Sequence, residues 1–174
     1  GDHTGKRTTS VTYGGTALTL LGYAETDHTY ADIWYLLNPP AGTATIEVTH
    51  GESVTYPCYL ATSFWNVDQA SPFGTPVTKT STVSSTSIDL SITSIQSNSW
   101  ILSSVGGSTA TDANSWKVPY ADNGLLHTYR MPDGIGGTGV YSEPGGVSGT
   151  QVTAGVHTIG WDFPNDPETA TCLI

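Results

Sequence analysis

The sequence predicts an all-β fold: an antiparallel β-sandwich of the jelly-roll or Ig-like kind, formed as a single domain by residues 1–174. Three observations carry this. Only 11% of the residues are charged, against roughly 25% in typical soluble domains, and Ser, Thr and Gly fill much of the polar share. Thr, Val, Ile, Trp and Tyr are abundant, which suits a pleated, half-buried surface. Short apolar runs alternate with period two between Gly and Pro turn signals, and no stretch keeps a helical period without a Gly, a Pro or a β-branched run breaking it.

The elements follow in order. "SVTY", then Gly14-Gly15, then "TALTLLGYA" reads as a hairpin with a two-glycine turn. "YADIWYLLN" runs to Pro39-Pro40, where a strand must stop. In "TATIEVTH" Ala44, Ile46 and Val48 are expected inward, with Thr45, Glu47 and Thr49 outward. "SVTYPCYLATSFWNV" reads as a long strand with Val54, Tyr56, Cys58, Leu60, Thr62 and Phe64 on one side, and Pro57 at an edge or bulge. "SIDLSIT" turns Ile88, Leu90 and Ile92 to the core, and "SWILSSV" follows, expected to end at Gly106-Gly107. "NSWKVPY", "LLHTYRM", "TGVYSE", "GVHTIGWDF" and "TATCLI" bring the set to about eleven strands. Many short strands with Gly/Pro turns and no helix read as a sandwich.

Charge excludes several function classes. The net charge is −10, with five Lys and Arg residues. Nucleic-acid binding draws on a basic surface that releases counterions, so DNA and RNA are not expected partners. Anionic membranes are disfavoured for the same reason, and the apolar runs are too short to span a bilayer as helices.

No motif carries catalytic or cofactor chemistry. Gly134, Gly136 and Gly139 in "GIGGTG" match a dinucleotide fingerprint, but "VYSEPGG" follows where a helix must begin. "GVSGT" places Ser148 without the second glycine of a nucleophile elbow. His3, His28, His50, His127 and His157 have neither i, i+4 spacing nor a C-x-x-C nearby, so no zinc site is expected and they read as surface or rim residues. Asp27, His28 and Asp32 lie close together, and the two aspartates are weak Ca²⁺ candidates without a D-x-D-x-D-G loop. Glycoside hydrolysis needs two facing carboxylates, and no strand presents acids at i, i+2, i+4. The expectation is a non-enzymatic protein without a cofactor.

Three features point instead to an extracellular surface. Cys58 and Cys172, the two cysteines, fall in strand-like stretches, and a disulfide is favoured over two buried thiols. In the chain-entropy model so long a closed loop contributes about 4–5 kcal/mol. The tract at 78–87 offers Thr80, Ser81, Thr82, Ser84, Ser85 and Thr86 as O-glycosylation candidates, while no N-x-[ST] sequon occurs. Trp34, Trp65, Trp100, Trp116 and Trp161 mostly read as core packing, with Trp116, beside Asn114, Ser115 and Lys117, as the exposed one and a candidate carbohydrate contact.

"SVTYGGTALTLLG", "IWYLLNPPAGTATIEVT" and "WNVDQASPFGTP" together resemble a family of secreted bacterial and environmental β-sandwich domains. That family carries a V-T-Y-G-G-x-x-L-T hairpin, here 11–19, then W-x-L-x-x-P-x-x-G-T, here 34–43, then a G-V-D-Q-x-x-P turn, here 66–72 with Asn66 in place of Gly. The resemblance covers about residues 8–105 and the last third in outline. It implies a fold and a location, and it carries over no catalytic residue. Family domains begin with one or two apolar strands before the hairpin, whereas this sequence opens on "GDHTGKRTT" and closes on "ETATCLI". An incomplete sandwich, with its missing strand supplied by a neighbouring copy, is the resulting expectation. The leading function is thus a structural subunit of an extracellular filament or surface fibre, a homopolymer built head to tail. The alternatives are a carbohydrate-binding or adhesive module and, third, a sandwich-fold polysaccharide-degrading enzyme.

Overall fold

A computed structural model describes residues 7–26, 30–54, 59–81, 87–94, 96–108, 118–121, 147–162 and 168–173. Twelve strands run through them: β1 (Thr8–Tyr13), β2 (Thr16–Ala17), β3 (Thr19–Glu25), β4 (Tyr30–Tyr35), β5 (Ile46–His50), β6 (Val77–Ser81), β7 (Ser87–Ser94), β8 (Ser99–Ser108), β9 (Val118–Ala121), β10 (Val147–Val152), β11 (Gly155–Asp162) and β12 (Glu168–Leu173). All pairings are antiparallel, and no helix occurs among the described residues. The strands form four small sheets, ordered β2-β1-β5, β10-β8-β12-β6, β7-β11-β9 and β3-β4. The all-β class is as the composition predicts.

The predicted two-glycine hairpin is present. Gly14 and Gly15 have φ of 56° and 81°, which a tight hairpin turn with both central residues left-handed requires. The stretch at 42–45 buttresses it: the Gly14 N–H donates to Thr45 O at 2.9 Å and the Tyr13 hydroxyl to Gly42 O at 2.6 Å. The predicted second arm does not run as one strand. β2 pairs with β1 only over Thr12↔Ala17 and Tyr13↔Thr16, and beyond Leu18 the chain leaves to pair as β3 with β4. In β3 the register shifts between Leu20 and Gly22. The extra residue, Leu21, moves to the inner side, where Leu21, Ala24, Ile33 and Phe73 pack together.

The main core lies between two sheets. Leu90 and Ile92 of β7 and Ile159 of β11 pack with Ile101 of β8, Val152 of β10 and Val77 of β6, while Ile88 meets Val105. Strict alternation along β7 produces this, as predicted: Ile88, Leu90 and Ile92 are buried and Asp89, Ser91 and Thr93 are exposed.

Two corners join these sheets side by side. The chain passes from β7 to β8 through residues 95–98 and from β10 to β11 through Thr153 and Ala154. Asn98, at φ 67°, turns the first corner, and its N–H donates to Val152 O at 2.8 Å. Ser94 and Ser99 hydroxyls both donate to Gln96 O, at 2.6 and 3.0 Å. The Ala154 N–H reaches Ser97 Oγ at 3.3 Å. His157 Nε2 donates to Thr153 O at 2.8 Å, closing the second corner from inside. These bonds pair backbone groups at Gln96, Asn98, Val152, Thr153 and Ala154 where the chain changes sheets beside an apolar core.

Several expectations are corrected. Of the long strand expected over 54–64, the described residues, Val54 and 59–64, are irregular, and Tyr59, Leu60 and Phe64 are exposed. Gly106-Gly107 do not end β8, which continues to Ser108 because β12 pairs with both glycines, at Ala170 and Thr169. Ile46 is 45% exposed although Val48, two residues on, is half-buried opposite the buried Val11. His157 is buried in the core corner, not on the surface. "LLHTYRM" and "TGVYSE" lie outside the described residues.

Candidate functional site

Two features stand out as functional surfaces: an aromatic face and a set of open strand edges. The aromatic face is built by the irregular stretch 59–70 lying against β8. Along β8, Ile101 and Val105 point into the core, so Trp100 points to the opposite side. Phe64 meets it there, with ring centroids 5.6 Å apart and planes tilted by 56°. Trp65 follows Phe64 and is 87% exposed, and Trp100 itself is 45% exposed. The core reading of these two tryptophans is therefore overturned. Local hydrogen bonds hold the loop beyond them. Asn66 sits at φ 59°, the Ala70 N–H donates to Asp68 Oδ1 at 2.8 Å, and Gln69 Nε2 donates to Val67 O at 2.9 Å. At the start of the stretch the Tyr59 hydroxyl hydrogen-bonds to His50 Nε2, and the two rings stack at 5.9 Å.

The second feature is the edge of the β2-β1-β5 sheet. Among the described residues no strand pairs with the outer side of β5, and β2 covers β1 only at Thr12 and Tyr13. Thr9 sits at an irregularity in the β1–β5 register, where its hydroxyl donates to Thr49 O at 3.1 Å. The sheet is tied to its surroundings by polar contacts. Arg7 bonds to Glu25 Oε1 at 2.5 Å, and its guanidinium lies over the Tyr23 ring, 5.6 Å from the centroid. Both partners are more than a third exposed, so this ion pair contributes little stability.

Each candidate from the sequence can now be placed. Asp32, a weak Ca²⁺ candidate, is engaged by its own strand: Trp34 Nε1 donates to Oδ2 at 2.7 Å, and the Tyr30 hydroxyl bonds to the same carboxylate. Burial and then the neighbouring Asp32 charge hold the Tyr30 hydroxyl well above the usual phenol range. Asp27 lies outside the described residues. No group of three or more His, Cys, Asp or Glu residues able to hold a metal occurs among the described residues.

Thr80 and Ser81 are in β6, paired with Ala170 and Thr169 of β12. Thr82, Ser84, Ser85 and Thr86 lie outside the described residues, as do Trp116 and Cys58. Cys172 is in β12, opposite Thr78 on one side and Ser104 on the other. The exposed pair Trp65 and Trp100 was missed as a site. Its one sequence signal is that Trp65 stands beside "NVDQASP", a turn-rich stretch where an apolar side chain has no strand partner.

Compared with known proteins, the chain matches no family model, no curated protein and no solved structure at a significant level.

Proposed function

We propose that this chain is a structural subunit of an extracellular filament or surface fibre. It would be a β-sandwich of jelly-roll or Ig-like kind completed by a strand from a neighbouring copy. The observation that carries this is the open edge of the β2-β1-β5 sheet, where β5 has no outer partner among the described residues and Ile46 stands exposed upon it. An open edge presents unpaired N–H and C=O groups and is a template for another strand. Soluble proteins blunt such edges with charged side chains, Lys above all, or with Pro, and β5, "IEVTH", carries one charge, Glu47, and neither Lys nor Pro. Low charge and the Ser/Thr-rich composition support the extracellular location, as does the family resemblance of the hairpin, Trp and "VDQ" blocks. A Cys58–Cys172 disulfide belongs to the same reading. It would tie Cys58 to β12, an interior strand of the largest sheet. The partners are other copies of the chain, with glycans on the 78–87 tract, and no catalytic step or cofactor is involved.

Negative-stain microscopy and sedimentation over a concentration series test this. Fibres or a ladder of oligomers are expected, shortened by Ile46→Lys, which places a charge on the edge strand. Monodisperse, cooperatively melting monomers at every concentration would falsify the proposal.

A further inference from the structure

We propose that Phe64, Trp65 and Trp100 form a binding platform for a neutral polysaccharide. The Phe64 and Trp100 rings meet, with centroids 5.6 Å apart, and Trp65, the next residue in the chain, stands exposed beside them in sequence. Core burial does not account for them, since Trp65 is 87% and Trp100 45% exposed. The elements that hold them are ordered by specific contacts. Trp100 is in β8, pinned between the buried Ile101 and the corner at Asn98, and the loop beyond Trp65 is held by the Asp68 and Gln69 bonds to the backbone. An exposed aromatic ring is what the C–H face of a sugar stacks upon, while the sugar hydroxyls need polar partners nearby. Ser63, Asn66, Asp68 and Gln69, exposed neighbours of Phe64 and Trp65 in the chain, carry such groups.

Charge selects the ligand class. Between residues 59 and 76 the single charged residue is Asp68, and β8 has none. Nucleic acids and nucleotides need cations beside the stacking ring, and neither the 59–76 stretch nor β8 carries one. The net charge of −10 repels acidic polysaccharides as well. A neutral glycan is the polymer that remains compatible with exposed aromatic rings whose one charged neighbour in the 59–76 stretch is Asp68.

The inference goes beyond the filament proposal and does not depend on it, because the platform is on β8 and the open edge is on β5. The experiment uses the full chain with insoluble cellulose and chitin, and with soluble β-glucan, mannan and the anionic polymer alginate. Pull-down and tryptophan fluorescence are the readouts. Binding to at least one neutral polymer and none to alginate is expected. Trp65→Ala should weaken binding about tenfold or more, the loss that truncating one aromatic anchor brings, with circular dichroism and melting unchanged. Trp100→Ala should act in the same direction. The proposal is overturned if no neutral polymer binds, if binding survives Trp65→Ala, or if Trp116→Ala abolishes it while Trp65→Ala does not. It is also overturned if Trp65→Ala changes only the sedimentation of the protein, which would make the face a contact between copies. Failure of polymerisation leaves all these outcomes readable on the monomer.

Discussion

β7, beside the double corner, and the aromatic stretch at 59–70 are both rich in apolar side chains, with opposite outcomes. Along β7 these alternate with polar residues, whereas Tyr59-Leu60-Ala61 and Phe64-Trp65 are grouped. Along β7 the apolar set is buried, with Ile88 at 1% exposure, whereas Tyr59, Leu60, Phe64, Trp65 and Val67 are exposed. The difference lies in partners. β7 is hydrogen-bonded along its whole length to β11, from Gly155↔Ser94 to Asp162↔Ser87, and a second sheet covers its inner face. The 59–70 stretch has no strand partner among the described residues. Alternation states which side chains share a face, and burial follows only when another layer covers that face.

The largest expected effect breaks this comparison directly. Ile159→Ala, in the middle of the two-sheet core, should cost about 2–5 kcal/mol, the range for deleting buried aliphatic side chains. Phe64→Ala should cost well under that, because the ring is partly solvated and bounds no closed core. Urea unfolding of the two variants, compared at equal m-value, checks the contrast. Equal losses would mean the aromatic stretch belongs to the cooperative core.

A smaller effect sharpens the same contrast. Asn98 and Asn66 both hold left-handed φ, at 67° and 59°, a conformation that costs a β-branched residue about 1–2 kcal/mol. Asn98→Val strains the corner that joins the two core sheets, so it should lower the melting temperature, while Asn98→Gly should not. Asn66→Val strains a loop that can rearrange locally, so global melting should change little. Thermal denaturation of the three variants makes the comparison.

The smallest effect concerns β4, where burial and Asp32 hold the Tyr30 hydroxyl protonated. The phenol titrates near 10 in the unfolded chain and higher in the folded one. The unfolded state therefore loses its proton first as pH rises. Stability from this group is full below about pH 10 and declines above it. Tyr30→Phe should flatten the stability profile on the alkaline side and leave it nearly unchanged at pH 7. Chemical denaturation at pH 7 and pH 11 reads both.

Much of the fold was legible from local chemistry. Gly14-Gly15 announced its hairpin because few residues other than glycine occupy two successive left-handed positions. β7 announced its buried face because three β-strand formers alternate there with Asp and Ser. The site was less legible. Tryptophan in an alternating stretch reads as core, and only the position of β8, with Ile101 turned inward, puts Trp100 outside. Trp65 carries the weaker hint of its turn-rich surroundings.

The sequence by itself determined the all-β class, the Gly14-Gly15 turn and the acidic, weakly charged composition, because these follow from backbone preference and residue content position by position. Tertiary structure alone decided how the strands divide among four sheets. It sent β3 away from β1 to join β4, carried β8 through Gly106 and Gly107 on the strength of β12, and gave 59–70 no strand partner among the described residues. The physical reason is that strand pairing satisfies hydrogen bonds between segments distant in the chain, and no local pattern records which distant edge is free to receive them.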